Sequence, residues 1–178
     1  MNESLGRIDR EQSKMPRTLS HLVSWTAMLL LSGALFACQA SYLPNTKIDA
    51  SDENRAIYKV MMSYRAAMEA RDVDGVLSLA SSKYYENAGT TETDEDDYGY
   101  DELRQQVAQL LSDNVLAVRY HVLLTNIDVD GDRATCDYEY RAQFKFVEGG
   151  QEGWAQRADF NRLDLVREEE GWKIVAGL

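Results

Sequence analysis

Apolar and polar residues alternate without a break from Ala134 to Phe146. Ala134, Cys136, Tyr138, Tyr140, Ala142, Phe144 and Phe146 form one set; Thr135, Asp137, Glu139, Arg141, Gln143 and Lys145 form the other. In an extended chain successive side chains point to opposite faces, so the first set is a buried face and the second a wet one. Such a strand belongs in an antiparallel sheet with a core on one side and solvent on the other. The flanking sequence must therefore supply partner strands and an apolar cover.

Partners lie on both sides. Val118, Tyr120, Val122 and Leu124 alternate, then Ile127 and Val129 continue in the opposite phase. The slip at Thr125-Asn126 predicts a β-bulge, and Asp130-Gly131 predicts the hairpin turn that follows. Glu148 to Gln151 turns the chain into a strand over Trp154–Val166, and Trp172–Ala176 is the last strand. The cover comes first in the chain. Ile57, Val60, Met61, Tyr64, Ala67 and Met68 recur at three- and four-residue spacing, which predicts a helix of about five turns. Ser51 or Asp52 caps it, and it stops near Arg71-Asp72. A short helix follows with Val73, Val76, Leu77 and Ala80 inward, then an extended piece at Tyr84-Tyr85. An acidic loop spans 87–102, overlapping the start of a third helix over Asp101–Leu111 with Leu103, Val107, Leu110 and Leu111 on one face. Helices followed by an antiparallel meander give an α+β fold.

In this order the chain resembles the nuclear transport factor 2-like superfamily, which includes SnoaL-like cyclases and ketosteroid isomerases. The resemblance rests on the opening helix with Tyr64, the segment Ala70–Leu77, the turn Asp128–Ala134 and the ending Glu170–Ile174, and it covers about residues 52–176. It implies helices packed into a strongly curved antiparallel sheet, a cone with a pocket. The superfamily hosts many unrelated functions, so the fold does not carry an activity with it.

The resemblance also says where acid–base chemistry would sit. Isomerases of this kind use a carboxylate base with a tyrosine and a protonated acid as oxyanion donors. Tyr64 falls at the family's helix-one tyrosine. The base position falls near Asn87, which cannot take a proton, and alternation would point the adjacent Glu86 the other way. The second acid falls near Asn161 or Leu163, with Asp159 two residues off. Tyr64, Glu86 and Asp159 are therefore the weak catalytic candidates, and a tyrosine at helical spacing in an apolar stripe such as Tyr64 is more often a core residue. Tyr84, Tyr85, Tyr138, Tyr140, Phe144 and Trp154, together with Tyr64, are candidates to line a cavity.

Other chemistries find little material. His121 is the single histidine after residue 21, too few for a two-histidine metal site. No glycine-rich phosphate loop joins a strand to a helix. Asn126, Asp128, Asp130-Gly131 and Asp137 loosely match a calcium loop, but strands flank them and a hairpin already explains the turn. Asp94, Glu95, Asp96, Asp97, Asp101 and Glu102 read as a solvated acidic loop. No metal and no cofactor is expected.

The beginning of the chain carries an address. Leu22 to Ala37 is an apolar run of 16 residues, short of the roughly 20 that span a bilayer. Arg17 and His21 precede it, and Leu35-Phe36-Ala37-Cys38 resembles a bacterial lipobox, in which the cysteine is acylated and becomes the first mature residue. Residues 1–37 are thus expected to be a signal peptide, residues 38–50 a flexible tether and residues 51–178 the domain. Glu3, Asp9 and Glu11 do not suit a signal, which points to initiation at Met15. Gln39 after Cys38 resembles an outer-membrane signal, which would place the domain in the cell envelope on the periplasmic face of the outer membrane. Removing the leader's net +1 from the chain's −11 leaves −12, which disfavours nucleic acid as a partner. A lipidated Cys38 leaves Cys136 unpaired.

Three readings follow. The first is a non-catalytic lipoprotein domain whose cone holds a small apolar ligand or an envelope protein. The second is a small SnoaL-like or isomerase-type enzyme. The third is a module that dimerises through its sheet face, against which the polar row Asp137, Glu139, Arg141 and Lys145 argues.

Overall fold

The computed structural model describes residues 41–87 and 97–178. The expected signal peptide with Met15 and Cys38, and the stretch of the acidic loop holding Asp94, Glu95 and Asp96, lie outside the described residues.

The first helix, α1 (Asp52–Ala70), starts where the Ser51 side chain accepts a hydrogen bond from the Asn54 N–H at 3.1 Å. It ends at Arg71, which adopts a left-handed φ of 56°. Its stripe Ile57, Met61, Tyr64, Ala67 and Met68 is buried, as the spacing requires. Helix α2 (Val73–Leu79) is capped by Asp72, whose carboxylate accepts from the Gly75 N–H at 2.9 Å. Helix α3 (Tyr100–Leu110) follows a two-residue ladder of β1 (Tyr85–Glu86) and β2 (Tyr98–Gly99).

The sheet is a meander in the order β3 (Val115–Asp130), β4 (Arg133–Glu148), β5 (Gln151–Glu168) and β6 (Gly171–Ala176), all antiparallel. The register of β3 slips between Leu124 and Asn126, the bulge anticipated from the phase change. Gly131 takes a φ of 58° in the β3–β4 turn, a left-handed conformation glycine adopts at no steric cost. On β4 the alternation holds: Ala134, Cys136, Tyr138 and Ala142 are buried, whereas Arg141 is exposed.

Helix α1 also guards the free edge of β3. The Tyr120 N–H donates to Glu69 Oε1 at 3.1 Å, and Arg65 Nε donates to the Tyr120 carbonyl at 2.9 Å. Arg65 and Glu69 are themselves paired at 3.3 Å. The two side chains thus occupy the backbone groups that a neighbouring strand would otherwise use. The core lies between α1, α2, α3 and the inner sheet face, around Ile57, Met61, Leu103, Tyr138, Leu163 and Ile174. Each such side chain contributes about 1.5–3 kcal/mol through burial.

Two expectations change. Part of the segment read as a flexible tether is built into the domain: Ser41–Ala50 forms a tight hairpin with the Leu43 N–H on the Ile48 carbonyl at 2.9 Å. Its apolar residue Leu43 is buried, which offsets the cost of ordering the turn. Leu110, placed on the inward face of α3, is 46% exposed because that face borders an open cavity there.

Candidate functional site

Tyr64 sits one helical turn before Met68 on α1, and both face α3. Between these helices lies a cavity of about 440 Å³, lined by Tyr64, Met68, Val76, Leu103, Gln106, Val107, Gln109, Leu110 and Leu178. Among the described residues, the polar side chains of that lining are one phenol and two amides, and none is charged. A neutral, mostly apolar molecule matches such a wall, because a charged one would lose its hydration without a counter-ion.

The phenol of Tyr64 belongs to a chain of tyrosines. Its ring meets that of Tyr120 edge-on at 5.7 Å between centroids, and Tyr120 stacks on Tyr140 at 5.6 Å. The hydroxyl of Tyr120 is hydrogen-bonded toward both Tyr64 and Tyr138. Tyr138 OH in turn accepts from Asn161 Nδ2 at 3.1 Å. Burial pushes the Tyr64, Tyr120 and Tyr138 hydroxyls well above their ordinary pKa. The chain therefore stays protonated, and its buried hydroxyls have partners. Tyr64 carries the one hydroxyl among the described side chains that line the cavity.

The other two catalytic candidates are elsewhere. Alternation holds at β1 but in the phase opposite to the one expected: Tyr84 is buried and Glu86 half-buried on one side, whereas Tyr85 and Asn87 are exposed. Its Oε2 accepts from the Gly177 N–H at 2.7 Å and from the Tyr84 hydroxyl at 3.4 Å. The carboxylate fastens backbone rather than lining the cavity. Asp159 is exposed on β5, within 3.8 Å of Arg157, and borders a different hollow. Asn87 is exposed. Among the described residues, no side-chain carboxylate accompanies Tyr64 in the cavity wall.

The aromatic candidates divide as well. Tyr138 is deep in the core, and Phe144 is half-buried against it. Tyr84 is buried and its hydroxyl accepts from the Leu178 N–H at 3.0 Å. Tyr140 borders the hollow that contains Asp159, and Trp154 lies on the sheet face away from the helices with Arg119 over its ring. Trp154 therefore cannot line the cone: it pairs with Lys145 on the wet face. His121 lies on that same face, opposite Arg141, and is exposed. Burial pushes the Cys136 thiol up to about 12, in keeping with an inert core residue.

The sequence reading missed Gln106, Gln109 and Leu178. The two amides sit beside apolar positions of α3 without any motif, and Leu178 belongs to no periodic element. Leu178 is held in the wall by bonds that begin at Gly177. Asn161 Nδ2 donates to the Gly177 carbonyl at 3.0 Å, and Tyr98 OH donates to the Leu178 carbonyl at 3.4 Å.

Comparison with known proteins agrees with this architecture. The SnoaL-like domain family matches residues 49–176, and the chain belongs to it. Its structural neighbours are nuclear transport factor 2-like proteins. A proposed dehydratase of the NTF2-like family from Streptomyces avermitilis is 15% identical with a TM-score of 0.56, covering 71% of this chain and 93% of that one. A conserved protein from Planctomyces limnophilus is 16% identical with a TM-score of 0.59, covering 71% and 93%. A type 2 hexachlorocyclohexane dehydrochlorinase is 16% identical with a TM-score of 0.56, covering 71% and 82%. At such identities the likeness establishes the fold alone. No curated protein sequence matches the chain.

Proposed function

We propose that this SnoaL-like domain is a lipid-anchored module of the cell envelope that holds a small, neutral, largely apolar ligand without transforming it. The supporting observation is the cavity wall, in which, among the described residues, Tyr64 is accompanied by apolar side chains and two amides and by no side-chain carboxylate or imidazole. A dehydratase or dehydrochlorinase activity, as named for two structural neighbours, would need a base beside that phenol. The Glu86 carboxylate is engaged by Gly177 and Tyr84 instead.

The test uses two neutral aromatic probes of one shape, a ketone and its hydrocarbon. Both are expected to bind saturably, the ketone about tenfold more tightly through one hydrogen bond from Tyr64. Tyr64→Phe is expected to abolish that difference, and Val107→Trp to fill the cavity and remove binding of both. Absence of saturable binding to the native chain would end this reading. Turnover of the ketone that disappears in Glu86→Gln would replace it with the enzymatic one.

The anchoring half of the proposal rests on Leu35-Phe36-Ala37-Cys38 and Gln39. Mass spectrometry of the mature N-terminus is expected to find an acylated Cys38, with the protein in the outer-membrane fraction. An unmodified Cys38 in a soluble chain would leave a secreted domain instead.

A further inference from the structure

The hairpin Ser41–Ala50 is fixed to the domain from its first residue. The Ala50 N–H donates to the Ser41 carbonyl at 2.6 Å, Thr46 Oγ1 donates to the Leu43 carbonyl at 3.0 Å, and Leu43 is buried. Side chains of α1 close its base: Asn54 Nδ2 donates to the Asp49 carbonyl at 2.8 Å and Arg55 Nε to the Ala50 carbonyl at 2.9 Å. Between Cys38 and Ser41 the chain has Gln39 and Ala40 alone. Whatever conformation they take, the step from Cys38 to Ser41 spans no more than about 10 Å. A lipid on Cys38 therefore leaves the hairpin no slack against the bilayer.

Further bonds define which end of the domain this is. Glu53, on the first turn of α1, pairs with Arg167 at 2.5 Å and accepts from Trp172 Nε1 at 3.3 Å. The Arg167 N–H donates to the Asp132 carbonyl at 2.8 Å. The start of α1, the β3–β4 turn and the β5–β6 turn thus share the hairpin's end. The other end of α1 lies beside the start of β3, where Arg71 donates to the Val115 carbonyl. Helix α1 therefore runs along β3, away from the hairpin. Tyr64 stands about 18 Å along α1 from Asp52, and the cavity it lines opens past the exposed residues Gln106, Gln109 and Leu110.

Two features fit the hairpin end to a bilayer surface without net charge. Tyr42 is 55% exposed, and a tyrosine, apolar with a polar tip, suits the headgroup level. The exposed acids Asp49, Asp52, Asp130, Asp132, Glu169 and Glu170 outnumber the cations around them. Anionic headgroups repel such an end within the screening length of about 8–10 Å, which is the reach from Cys38 to Ser41.

We propose that the acylated Cys38 docks the Ser41–Ala50 end of the domain on a zwitterionic phospholipid surface, with the ligand cavity opening away from that bilayer. This rests on the reading of Cys38 as acylated. The anchor here is a short leash, which sets the orientation of the domain as well as its location. A neutral ligand then exchanges through the aqueous side and does not enter laterally from the membrane that holds the protein.

The test places the full mature chain in phosphatidylcholine vesicles that carry a headgroup-linked quencher. A fluorophore sits on Lys47→Cys or on Gln109→Cys; both positions are exposed, and Cys136 is buried. The label at position 47 is expected to be quenched about fivefold more than the label at position 109, given the reach at one and the separation at the other. About ten Gly-Ser residues inserted between Gln39 and Ala40 lengthen the leash to roughly 20 Å. They are expected to shrink the difference to within about twofold. Phosphatidylglycerol in place of half the lipid is expected to lower quenching at position 47 about twofold at low salt, and added salt to restore it. Equal quenching of the two labels in vesicle-bound chain overturns the docking, and stronger quenching at position 109 replaces it with a cavity open to the bilayer. A difference that survives the inserted spacer overturns the leash as its cause. Stronger quenching at position 47 on phosphatidylglycerol overturns the zwitterionic assignment. A chain that does not float with the vesicles, with an unmodified Cys38 by mass, fails at the anchor itself and takes the docking with it.

Discussion

Gly177→Ala is expected to destabilise the domain by about 3 kcal/mol and to open the wall of the cavity. Gly177 holds a φ of +92°, and a Cβ built there would lie 1.9 Å from the Arg162 carbonyl oxygen. That oxygen belongs to β5, whose register with β4 is unbroken, so it cannot retreat. The least costly response is release of Gly177 and Leu178 from their seats. Release forfeits the bonds of Gly177 N–H to Glu86, Leu178 N–H to Tyr84 and Asn161 to the Gly177 carbonyl. Neutral bonds contribute about 0.5–1.5 kcal/mol each and the one to a carboxylate about 1.5–3 kcal/mol. A loss near 3 kcal/mol lowers the melting temperature of a domain this size by roughly 10 °C. Leu178 also leaves the cavity lining, so the aromatic probes should dissociate faster. Gly131→Ala supplies the comparison: its φ is +58° but nothing lies within 4 Å of the added carbon. It is expected to cost about 1 kcal/mol of backbone strain alone. Equal melting temperatures for Gly177→Ala and Gly131→Ala would refute the steric argument.

The contrast between these two glycines also shows what the chain discloses locally. Asp130-Gly131 announces its turn because the residue types and the conformation are linked within four residues. Gly177 matters because of Arg162, a neighbour no local pattern connects to it. The same division runs through the fold. Strand β4 was legible because one face is buried and the other wet, giving full contrast at period two. The phase slip at Thr125-Asn126 exposed the bulge for the same reason. The amino-terminal half of β5 has no such contrast, since both of its faces are exposed. Trp154 was therefore placed by its aromatic character and came out on the wrong face.

At the candidate site, Tyr64 was legible through its helical stripe and its place in the family's order. Glu86 was not, because a two-residue strand is too short for alternation to fix which way its side chains turn. Asn161 was marked only as the residue at an acid's position, and its structural role is to bond Tyr138 and Gly177. Gln106, Gln109 and Leu178 left no signal because a cavity wall assembled from three helices and a terminal segment has no periodicity of its own.

Raising the pH above 10 is expected to unfold the domain cooperatively, and this is the largest effect anticipated here. Burial raises the pKa of the Tyr64, Tyr84, Tyr120 and Tyr138 phenols above their ordinary value near 10. Below that value folded and unfolded chains hold these protons alike, and the stabilisation is fully present. Above it the unfolded chain releases protons that the native one retains, so stability falls as pH rises toward the native values. Each group contributes about 1.4 kcal/mol per pH unit over that window, and four together roughly 5 kcal/mol per unit. Cys136 adds to the slope between its ordinary value and about 12. A domain stable by about 5–15 kcal/mol exhausts that margin within roughly 1–3 pH units. Tyrosinate absorbance and circular dichroism should therefore change together, with four of the ten tyrosines ionising only as the fold is lost. Tyr64→Phe and Tyr138→Phe should each reduce the pH slope by about a quarter, because each removes one of the four coupled protons. Complete ionisation of all ten phenols with native dichroism intact would show that the buried hydroxyl chain titrates in place, and would remove the basis for Tyr64 as a fixed donor to the cavity.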